Sequence, residues 1–494
     1  MDITQYFRRK THAVTFGSVA IGAQNPIAVQ SMTNTSTRDT QSSVEQTLKI
    51  EQAGGHIVRL TAQGRAEAEN LESIMAKLRA QGSKAAIVAD IHFTPDVAAI
   101  AALYVDKVRV NPGNYRLDGG KLQSLIALCR KRGVALRIGV NHGSLSQRQF
   151  DLWGDTPEGM VHSAMEFLEI CHAEQFDQVV ISLKSSNTRV MVQAYRLLCQ
   201  TLDERGMSYP IHLGVTEAGS GIEARVKSAV GIGALLADGI GDTIRVSLTE
   251  APEREITVAE ILVRHFEKRS GLFPVEQIAS YSPFTFARRS NVITPIIHSE
   301  EHSQFTIIEA LSENPTAELR AAILNLNSTE PVLIKRRYED RDLTELAIKA
   351  AADLGLLFLD GLADGIWIDA PHHSEAAIAE IELMILQASR VRQSQSEYIA
   401  CPSCGRTLFD IEARLKEIKS RTAHLKHLKI GVMGCIVNGP GEMADADYGY
   451  VGAAAGHITL YRGRQVIEKN IPEQRALDRL IDYIKENGDW VDEK

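Results

Sequence analysis

Three cysteines near the carboxyl end of the chain have the spacing of metal ligands. Cys401 and Cys404 form a C-x2-C pair in YIACPSCGR, and Cys435 follows the apolar run LKIGVM. The pair alone is typical of zinc, iron-sulfur and redox dithiol sites. A structural zinc site needs a fourth Cys or His ligand, but no fourth cysteine lies in this segment. His424 and His427 belong to the basic stretch RTAHLKHLK and are more simply interpreted as capping or solvated residues. Three thiolates without a fourth therefore indicate an iron-sulfur cluster with one exposed iron, and catalysis at that iron.

The motif CIVNGPGE places Glu442 seven residues after Cys435. Gly439 and Gly441 on either side of Pro440 let the backbone turn tightly and approach a bulky inorganic group. Glu442 could then complete the coordination of the metal centre or donate a proton beside it. The alternative is an ordinary turn that carries a surface acid.

A second set of candidate residues lies at the ends of eight short apolar runs. Five of the eight ends carry a cation, and cations that meet at one site repel one another unless an anion neutralises them. Arginine forks with Asn and Ser donors suit phosphate oxygens, so we expect a ligand that carries phosphate or diphosphate. The residues are Arg59, Asp90, Arg109, Asn111, Arg137, Asn141, Lys184, Glu217, Arg245 and Ser247.

The runs that must position these residues lie between residues 25 and 250. They are PIAVQS, HIVRL, AAIVAD, DKVRV, ALRIG, QVVISL, PIHLGV and DTIRVS. Segments with helical spacing that end on glycine, such as SSVEQTLKIEQAGG and NLESIMAKLRAQG, separate them. Eight strand-then-helix units predict a (β/α)8 TIM barrel, whose reactive face lies at the carboxyl ends of the strands. An open doubly wound sheet is the alternative, but no Gly-rich dinucleotide fingerprint follows the first strand.

Length and composition limit the class of protein. A chain of 494 residues predicts two or three domains, and a formal net charge of -8 argues against a general nucleic-acid-binding protein. The amino terminus lacks the apolar stretch of a secretory signal, and the most apolar windows are too short to span a bilayer. We therefore expect a cytoplasmic protein without membrane contact. Cys129, Cys171 and Cys199 lie in amphipathic runs and are interpreted as helix-core residues.

Taken together, the motifs resemble the 4-hydroxy-3-methylbut-2-enyl diphosphate synthase family, the iron-sulfur enzymes of the methylerythritol phosphate route to isoprenoids. The resemblance covers about 1 to 270 and 395 to 470. It rests on QSMTNTSTRDT, DIHF, VRVNPGN, RIGVNHGSL, SLKSSN, GVTEAG, GIGDTIRVSL, CPSCGRTLFD and GCIVNGPGE.

The resemblance implies the two-electron reductive ring opening of 2-C-methyl-D-erythritol 2,4-cyclodiphosphate. The electron donor would be flavodoxin or ferredoxin, and the resemblance is compatible with a homodimer. It implies a [4Fe-4S] cluster on Cys401, Cys404 and Cys435, with Glu442 as the displaceable fourth ligand. Glu442 or Glu217 would supply the proton for the departing oxygen, and we favour Glu442 because it lies nearer the iron. The diphosphate would be held by Arg59, Arg109, Arg137, Lys184, Arg245 and Ser247, with Asp90, Asn111, Asn141 and Glu217 nearby.

Three domains are predicted within an overall α/β chain. Residues 1–270 would form the substrate-binding barrel, 271–375 an α/β insert, and 376–494 an α+β iron-sulfur domain. The insert is similar to that of three-domain members of the family, although it is short for one.

An internal match marks the far end of the insert. GALLADGIGDTIRVSL from Gly233 and GLLFLDGLADGIWIDA from Gly355 align at an offset of 122. The second copy has Trp367 and Asp369 in place of the phosphate donors, which indicates a scaffold and not a second active site. We hypothesise that the insert is a spacer that lets the cluster module reach the barrel of its own chain, so its removal would abolish activity.

Two other classes stay open from the residues alone. A sugar-phosphate lyase could use Lys184 as a Schiff-base amine beside a zinc-binding tail. A non-catalytic iron-sulfur sensor would need the cysteines but would have little use for a barrel ringed with cations.

Overall fold

The computed structural model describes residues 6–91, 95–267, 269, 271–275, 281–326, 328–436, 439–443 and 445–492. Residues 92 and 93 of the DIHF motif and residues 437 and 438 of GCIVNGPGE lie outside the described residues. The described chain forms a two-stranded hairpin, an eight-stranded parallel barrel, a four-stranded sheet and a five-stranded sheet.

The amino-terminal hairpin closes the bottom of the barrel. It consists of β1 (Val14–Phe16) and β2 (Val19–Ile21), which pair antiparallel. Its apolar side chains pack on Ile57 and Val88 inside the barrel, and the ring of Phe16 lies 3.7 Å from the Lys107 ammonium group. A ligand therefore has to enter from the opposite end. This hairpin was not predicted, although the segment VTFGSVAI alternates apolar and other residues around a Gly-Ser turn.

The predicted (β/α)8 barrel is confirmed, and the open doubly wound sheet is wrong. The strand order is β8-β7-β6-β5-β4-β3-β10-β9, and a bridge between Ile181 and Ile211 joins the two ends into a ring. The strands are buried on both faces, as expected for a parallel sheet enclosed by helices. They are β3 (Ala28–Met32), β4 (Ile57–Ala62), β5 (Ala86–Ile91), β6 (Lys107–Val110), β7 (Ala135–Asn141), β8 (Val179–Lys184), β9 (His212–Leu213) and β10 (Thr243–Ile244).

Nine helices among the described residues surround the barrel. Side chains at their starts provide caps: Asp39 accepts a hydrogen bond from the Ser42 amide, and Asn187 accepts bonds from the next turn. The helices are α1 (Thr40–Gln52), α2 (Arg65–Ala80), α3 (Pro95–Ala101), α4 (Lys121–Arg132), α5 (Gln147–Trp153), α6 (Pro157–Ala173), α7 (Thr188–Glu204), α8 (Gly221–Ala237) and α9 (Glu253–Phe266). As predicted, Cys129, Cys171 and Cys199 are buried in helices, and burial raises the pKa of each thiol to about 12.

The insert is α/β, as predicted. Its four parallel strands have the order β11-β14-β13-β12 and are β11 (Ile296–Ile297), β12 (Thr306–Ala310), β13 (Val332–Arg337) and β14 (Gly365–Asp369). Its helices are α10 (Pro315–Leu324), α11 (Leu343–Leu359) and α12 (Glu375–Ala388). The domain boundaries at 270 and 375 stay predictions; α12 begins at the second of them and packs on α8 and α11.

The two internally matching segments pack against each other. A Cβ atom on Gly233 of α8 would lie 2.6 Å from the Ala352 Cα, and one on Gly355 of α11 would lie 2.8 Å from a Val230 methyl group. The offset of 122 relates Val230 to Ala352 and Gly233 to Gly355, so the contact is approximately two-fold symmetric. The small residues let the helices approach closely, and barrel and insert share one hydrophobic core.

Four buried charges lie at the ends of these two helices. Arg196 Nε lies 2.8 Å from Asp238 Oδ2, and its Nη1 lies 2.6 Å from Asp360 Oδ1. Arg320 of the insert donates to both carboxylates, at 3.0 and 3.1 Å, and the Tyr281 hydroxyl donates to Asp360 at 2.6 Å. Burial alone would raise the pKa of Asp360, but the two guanidinium groups hold it below its ordinary value. Each domain therefore supplies one arginine and one aspartate to a shared network.

The carboxyl-terminal module is α+β, as predicted. Its sheet has the order β15-β16-β17-β18-β19, with the first three strands parallel and the last two antiparallel. The elements are β15 (Glu397–Ala400), α13 (Ile411–Thr422), β16 (Lys429–Met433), α14 (Gly439–Glu442), β17 (Tyr448–Ala454), β18 (His457–Arg462), β19 (Gln465–Pro472) and α15 (Glu473–Glu486). Among the described helices, none is long and apolar enough to cross a bilayer. We call residues 397–492 the cluster module.

Candidate active site

One cavity lies between the carboxyl ends of the barrel strands and the cysteine loops of the cluster module. It contains about 660 Å³ of space between atoms, counting its opening to solvent. The predicted site residues that line it are Arg59, Asp90, Arg109, Asn141, Lys184, Glu217, Arg245, Cys401, Cys404, Cys435 and Glu442. The fold thus brings together the two groups of residues that the sequence separates by more than a hundred positions.

The cluster module is seated on the barrel of the same chain. The backbones of Gly143 in the barrel and Gly441 in the cluster module are in direct contact. A Cβ atom added to Gly441 would lie 2.1 Å from the Gly143 carbonyl oxygen, so the contact has no space for a side chain. The Asn141 amide donates to Glu442 Oε1 at 2.5 Å, and Ala218 forms a parallel bridge with Ala400 at the end of β15. These contacts fix where Glu442 lies above the barrel.

Carboxylates partly neutralise the cations of the barrel mouth. Asp90 lies 3.1 Å from Arg109 and 3.6 Å from Arg59. Arg245 is held by Glu255 of α9 through two contacts of 3.0 and 3.1 Å. The expectation that only a bound anion relieves the repulsion is therefore too simple. Sequence reasoning missed Glu255, because APEREI matches no motif and only the packing of α9 brings it beneath β10.

Positive charge nevertheless remains in excess at this end of the barrel. Burial lowers the pKa of Arg59 to about 10, with Arg245 and Arg109 adding to the effect. Burial also lowers the pKa of Lys184 well below its ordinary value, again with help from neighbouring arginines. The charged forms of these side chains are destabilised by burial and by their mutual repulsion, and a multiply charged anion bound among them would relieve the repulsion.

Three predicted ligand residues do not line the cavity. The Asn111 amide donates to the Ser144 hydroxyl at 3.2 Å and its oxygen accepts from the Gly113 amide at 3.1 Å, so Asn111 shapes its loop. Arg137 is 1% exposed, and its Nε and Nη1 atoms have no hydrogen-bond partner among the described residues. Ser247 is buried just after β10. Contact of these three with a ligand stays a prediction.

The three thiols and Glu442 surround a space. Cys401 Sγ accepts a hydrogen bond from the Gly434 amide at 3.2 Å, and burial together with the two neighbouring cysteines raises the pKa of this thiol. Among the described residues, no three Cys, His, Asp or Glu side chains converge closely enough to hold a single metal ion. The three thiols and Glu442 nevertheless line the same cavity.

The two histidines of the basic stretch have other contacts. The ring of His424 lies 4.9 Å from that of Trp490, and His427 Nε2 lies 3.1 Å from the Asp489 carbonyl oxygen. Neither lines the cavity.

Two carboxyl groups meet inside the cavity. Glu217 has a φ of 50°, which is unusual for a residue other than glycine, and such backbone strain is concentrated at functional sites. Burial, and then the nearby charge of Glu442, raise the pKa of Glu217 well above its ordinary value. The pair can therefore hold a proton between them in a dry site.

Sequence reasoning also missed Arg406, which lines the cavity from the cluster module. The available signal was its position two residues after Cys404 in CPSCGR. A basic residue beside a metal ligand is common enough that the sequence alone does not single it out.

The fold and the cavity define the class of protein: a TIM barrel with a cationic mouth, covered by a three-cysteine module of the same chain. The GcpE TIM-barrel domain matches residues 11–260, and the GcpE protein C-terminal domain matches residues 397–486. The chain belongs to the GcpE family.

Similar curated proteins span the whole chain. Those of Phocaeicola vulgatus and Porphyromonas gingivalis are 42% and 43% identical, covering 100% and 99% of this chain and 100% and 99% of their own. That of Akkermansia muciniphila is 41% identical, covering 99% of this chain and 98% of its own. All three are named 4-hydroxy-3-methylbut-2-en-1-yl diphosphate synthase (flavodoxin). The alignments extend over 577 to 613 residues, so these relatives contain segments that this shorter chain lacks.

Proposed function

We propose that the protein reduces 2-C-methyl-D-erythritol 2,4-cyclodiphosphate to 4-hydroxy-3-methylbut-2-enyl diphosphate, opening its ring with two electrons. The observation that carries the proposal is the shared cavity, in which four barrel cations and three thiols face the same space. The names of the full-length relatives support the same reaction.

Cys401, Cys404 and Cys435 would hold a [4Fe-4S] cluster, with Glu442 as the fourth ligand. These side chains fit such a cluster, because three soft thiolates are the usual ligands of iron-sulfur iron. The hydrogen bond from the Gly434 amide to Cys401 Sγ is of the kind that adjusts the reduction potential of these clusters. When bound, the cluster supplies electrons one at a time.

The barrel residues would bind and orient the substrate. Arg59, Arg109, Lys184 and Arg245 neutralise the diphosphate, and their fixed positions hold the ring beneath the cysteines. Arg137 in β7 and Ser247 just after β10 would bind a further phosphate oxygen. The unpartnered donors of Arg137 support this role.

Glu217 and Glu442 are the candidates for the proton that the departing oxygen needs. Glu442 is positioned by Asn141 and is also the proposed fourth ligand, whereas Glu217 is buried beside it with no role in coordination. This division of roles favours Glu217 as the proton donor, in contrast to the preference for Glu442 from sequence.

Flavodoxin is the proposed electron donor, since the relatives' names specify flavodoxin and not ferredoxin. We place the reaction in the cytoplasm. One chain supplies both halves of the cavity, so the proposed activity does not require a homodimer.

The central test is anaerobic preparation of the chain with counts of iron and sulfide, a visible absorption spectrum, and turnover of the cyclodiphosphate with reduced flavodoxin. We expect about four irons and four sulfides per chain together with product formation. Zinc in a colourless protein, with borohydride trapping of a substrate on Lys184, would instead support the sugar-phosphate lyase.

Arg137→Ala is expected to lower kcat/KM by about 100-fold, because the variant lacks the buried guanidinium group that would donate hydrogen bonds to the diphosphate. The iron content should not change, since Arg137 does not contact the cysteine loops. Anaerobic kinetics and iron analysis on the same preparation measure both quantities. The matched control is Arg132→Ala, an exposed arginine at the end of α4. Wild-type kinetics for Arg137→Ala would remove this residue from the site.

Gly441→Ala is expected to lower turnover by about 100-fold, because its methyl group would push the cluster module off Gly143 and displacements of this size are costly in catalysis. The backbone at Gly441 is not left-handed, so alanine fits the isolated module and iron loading should persist. Steady-state rates and iron content test this, with the exposed Ser420→Ala as control. Undiminished turnover would show that the described seating is not the active arrangement.

A further inference from the structure

The cluster module contributes a cation of its own to the cavity. Arg59, Arg109, Lys184 and Arg245 reach the cavity from the barrel, whereas Arg406 reaches it from the loop that carries Cys401 and Cys404. Arg406 bonds to Cys435 and lies close to Asp90 of the barrel. Its guanidinium therefore lies at the boundary between the proposed metal centre and the proposed diphosphate site.

The charges around Asp90 do not balance. This carboxylate faces Arg59 at 3.6 Å, Arg109 at 3.1 Å, and also Arg406. Arg406 and Arg59 are near enough that the charge of one lowers the pKa of the other. Cys404 and Cys435 also interact with Arg406, but the three guanidinium groups still outnumber the carboxylate of Asp90. A bound diphosphate would add negative charge at this point.

The loop that carries Arg406 is pressed onto the barrel. A Cβ atom on Gly405 would lie 2.6 Å from the Thr35 carbonyl oxygen and 2.6 Å from Thr61 Oγ1. The φ of Gly405 is not in the left-handed region, so glycine is needed here for space and not for backbone conformation. Gln63 also donates to the Gly405 carbonyl oxygen at 3.4 Å. Arg406 thus reaches the barrel cations only while the cluster module is seated.

We infer that Arg406 is a further substrate-binding residue, which holds the diphosphate from the cluster module and links substrate binding to the seating of that module on the barrel. The inference rests on the proposed function. A ligand that contacts both modules binds more tightly when the cluster module is seated on the barrel. Because coupling between two equilibria is reciprocal, the bound ligand favours the seated arrangement by the same factor as the seating favours ligand binding. The barrel cations alone would bind the diphosphate without this coupling.

The test measures binding without turnover. The full-length, cluster-loaded, oxidised protein is titrated with the cyclodiphosphate by anaerobic calorimetry in the absence of reductant. We expect Arg406→Gln to raise Kd by about 10- to 100-fold, the loss typical of a charged hydrogen bond, with iron and sulfide contents unchanged. Arg406→Lys should recover part of the affinity. Gly405→Ala, which keeps the arginine but displaces its loop, should also raise Kd.

The control is Arg421→Gln, an arginine of the same module that pairs with Asp478 on the surface; its Kd should equal that of the wild type. A Kd for Arg406→Gln within twofold of the wild type would overturn the inference, even if kcat fell. Loss of iron from both Arg406 variants would overturn it too, since the residue would then support the cluster loop. Failure of the proposed function looks different, because the wild-type protein itself would then not bind the cyclodiphosphate.

Discussion

Cys435→Ser is expected to remove iron and turnover together. Cys435 lines the cavity with Cys401 and Cys404, and the described part of the chain offers no spare cysteine nearby, since the other three are buried in helices. A serine hydroxyl is a hard, protonated group at neutral pH and a poor ligand for iron-sulfur iron. We expect turnover to fall by more than about 100-fold. This is a larger effect than the loss of a residue that only hydrogen-bonds to a metal ligand.

The measurement combines iron and sulfide analysis, the visible spectrum and the rate with reduced flavodoxin, all under anaerobic conditions. Cys199→Ala is the matched control, because this thiol lies in α7 and does not line the cavity; it should keep its iron. Cys435→Ser with full iron content and a normal rate would refute the proposed ligand set.

Asp360→Ala is expected to destabilise the protein by about 3 to 5 kcal/mol, the cost of leaving a buried charge without its partner. Asp360 accepts from Arg196 of the barrel and Arg320 of the insert, and these side chains are at most 2% exposed. Its loss leaves two guanidinium groups in apolar surroundings with Asp238 alone to neutralise them. Urea unfolding followed by tryptophan fluorescence, with Trp367 of β14 inside the insert, measures the change.

The control is Glu339→Ala, which breaks a pair with Arg337 on the exposed surface and should not shift the unfolding midpoint measurably. The pKa of Asp360 is lowered in the folded protein from an ordinary 3.8, so its stabilisation is present above about pH 4 and is lost as the pH falls below that value. The unfolding free energy of the Asp360→Ala variant should therefore lack the part that Asp360 contributes above about pH 4. An unchanged midpoint at neutral pH would show that the network does not hold the two domains together.

This network changes the interpretation of the insert. The sequence leads to the hypothesis that the insert is a spacer, whose removal would abolish activity even if cluster loading survived. In the structure, α8 of the barrel is largely buried beneath α11 and α12, and both domains share one core. Removing 271–375 would expose that face of α8, so we expect the deletion to destabilise the barrel itself. The role of the insert as a spacer stays a prediction.

The features of this protein that could be predicted before folding are those whose signals are local in the chain. Alternating strands and helices fixed the barrel, because a buried parallel strand and an amphipathic helix each have their own residue pattern. The C-x2-C pair and the NGPGE turn likewise marked Cys401, Cys404 and Glu442, since ligand spacing within one loop is readable along the chain. Most of the cations at the strand ends were found because strand ends in a barrel meet at one face.

Which of these residues meet, and with which partners, depends on the folded arrangement of the three domains. Arg137 does not line the cavity, Glu255 of α9 holds Arg245, and Arg406 reaches the cavity from the cluster module. Each outcome depends on side chains far apart in the chain that come within a few ångströms on folding. Such distances depend on packing, and no local pattern of residues encodes them.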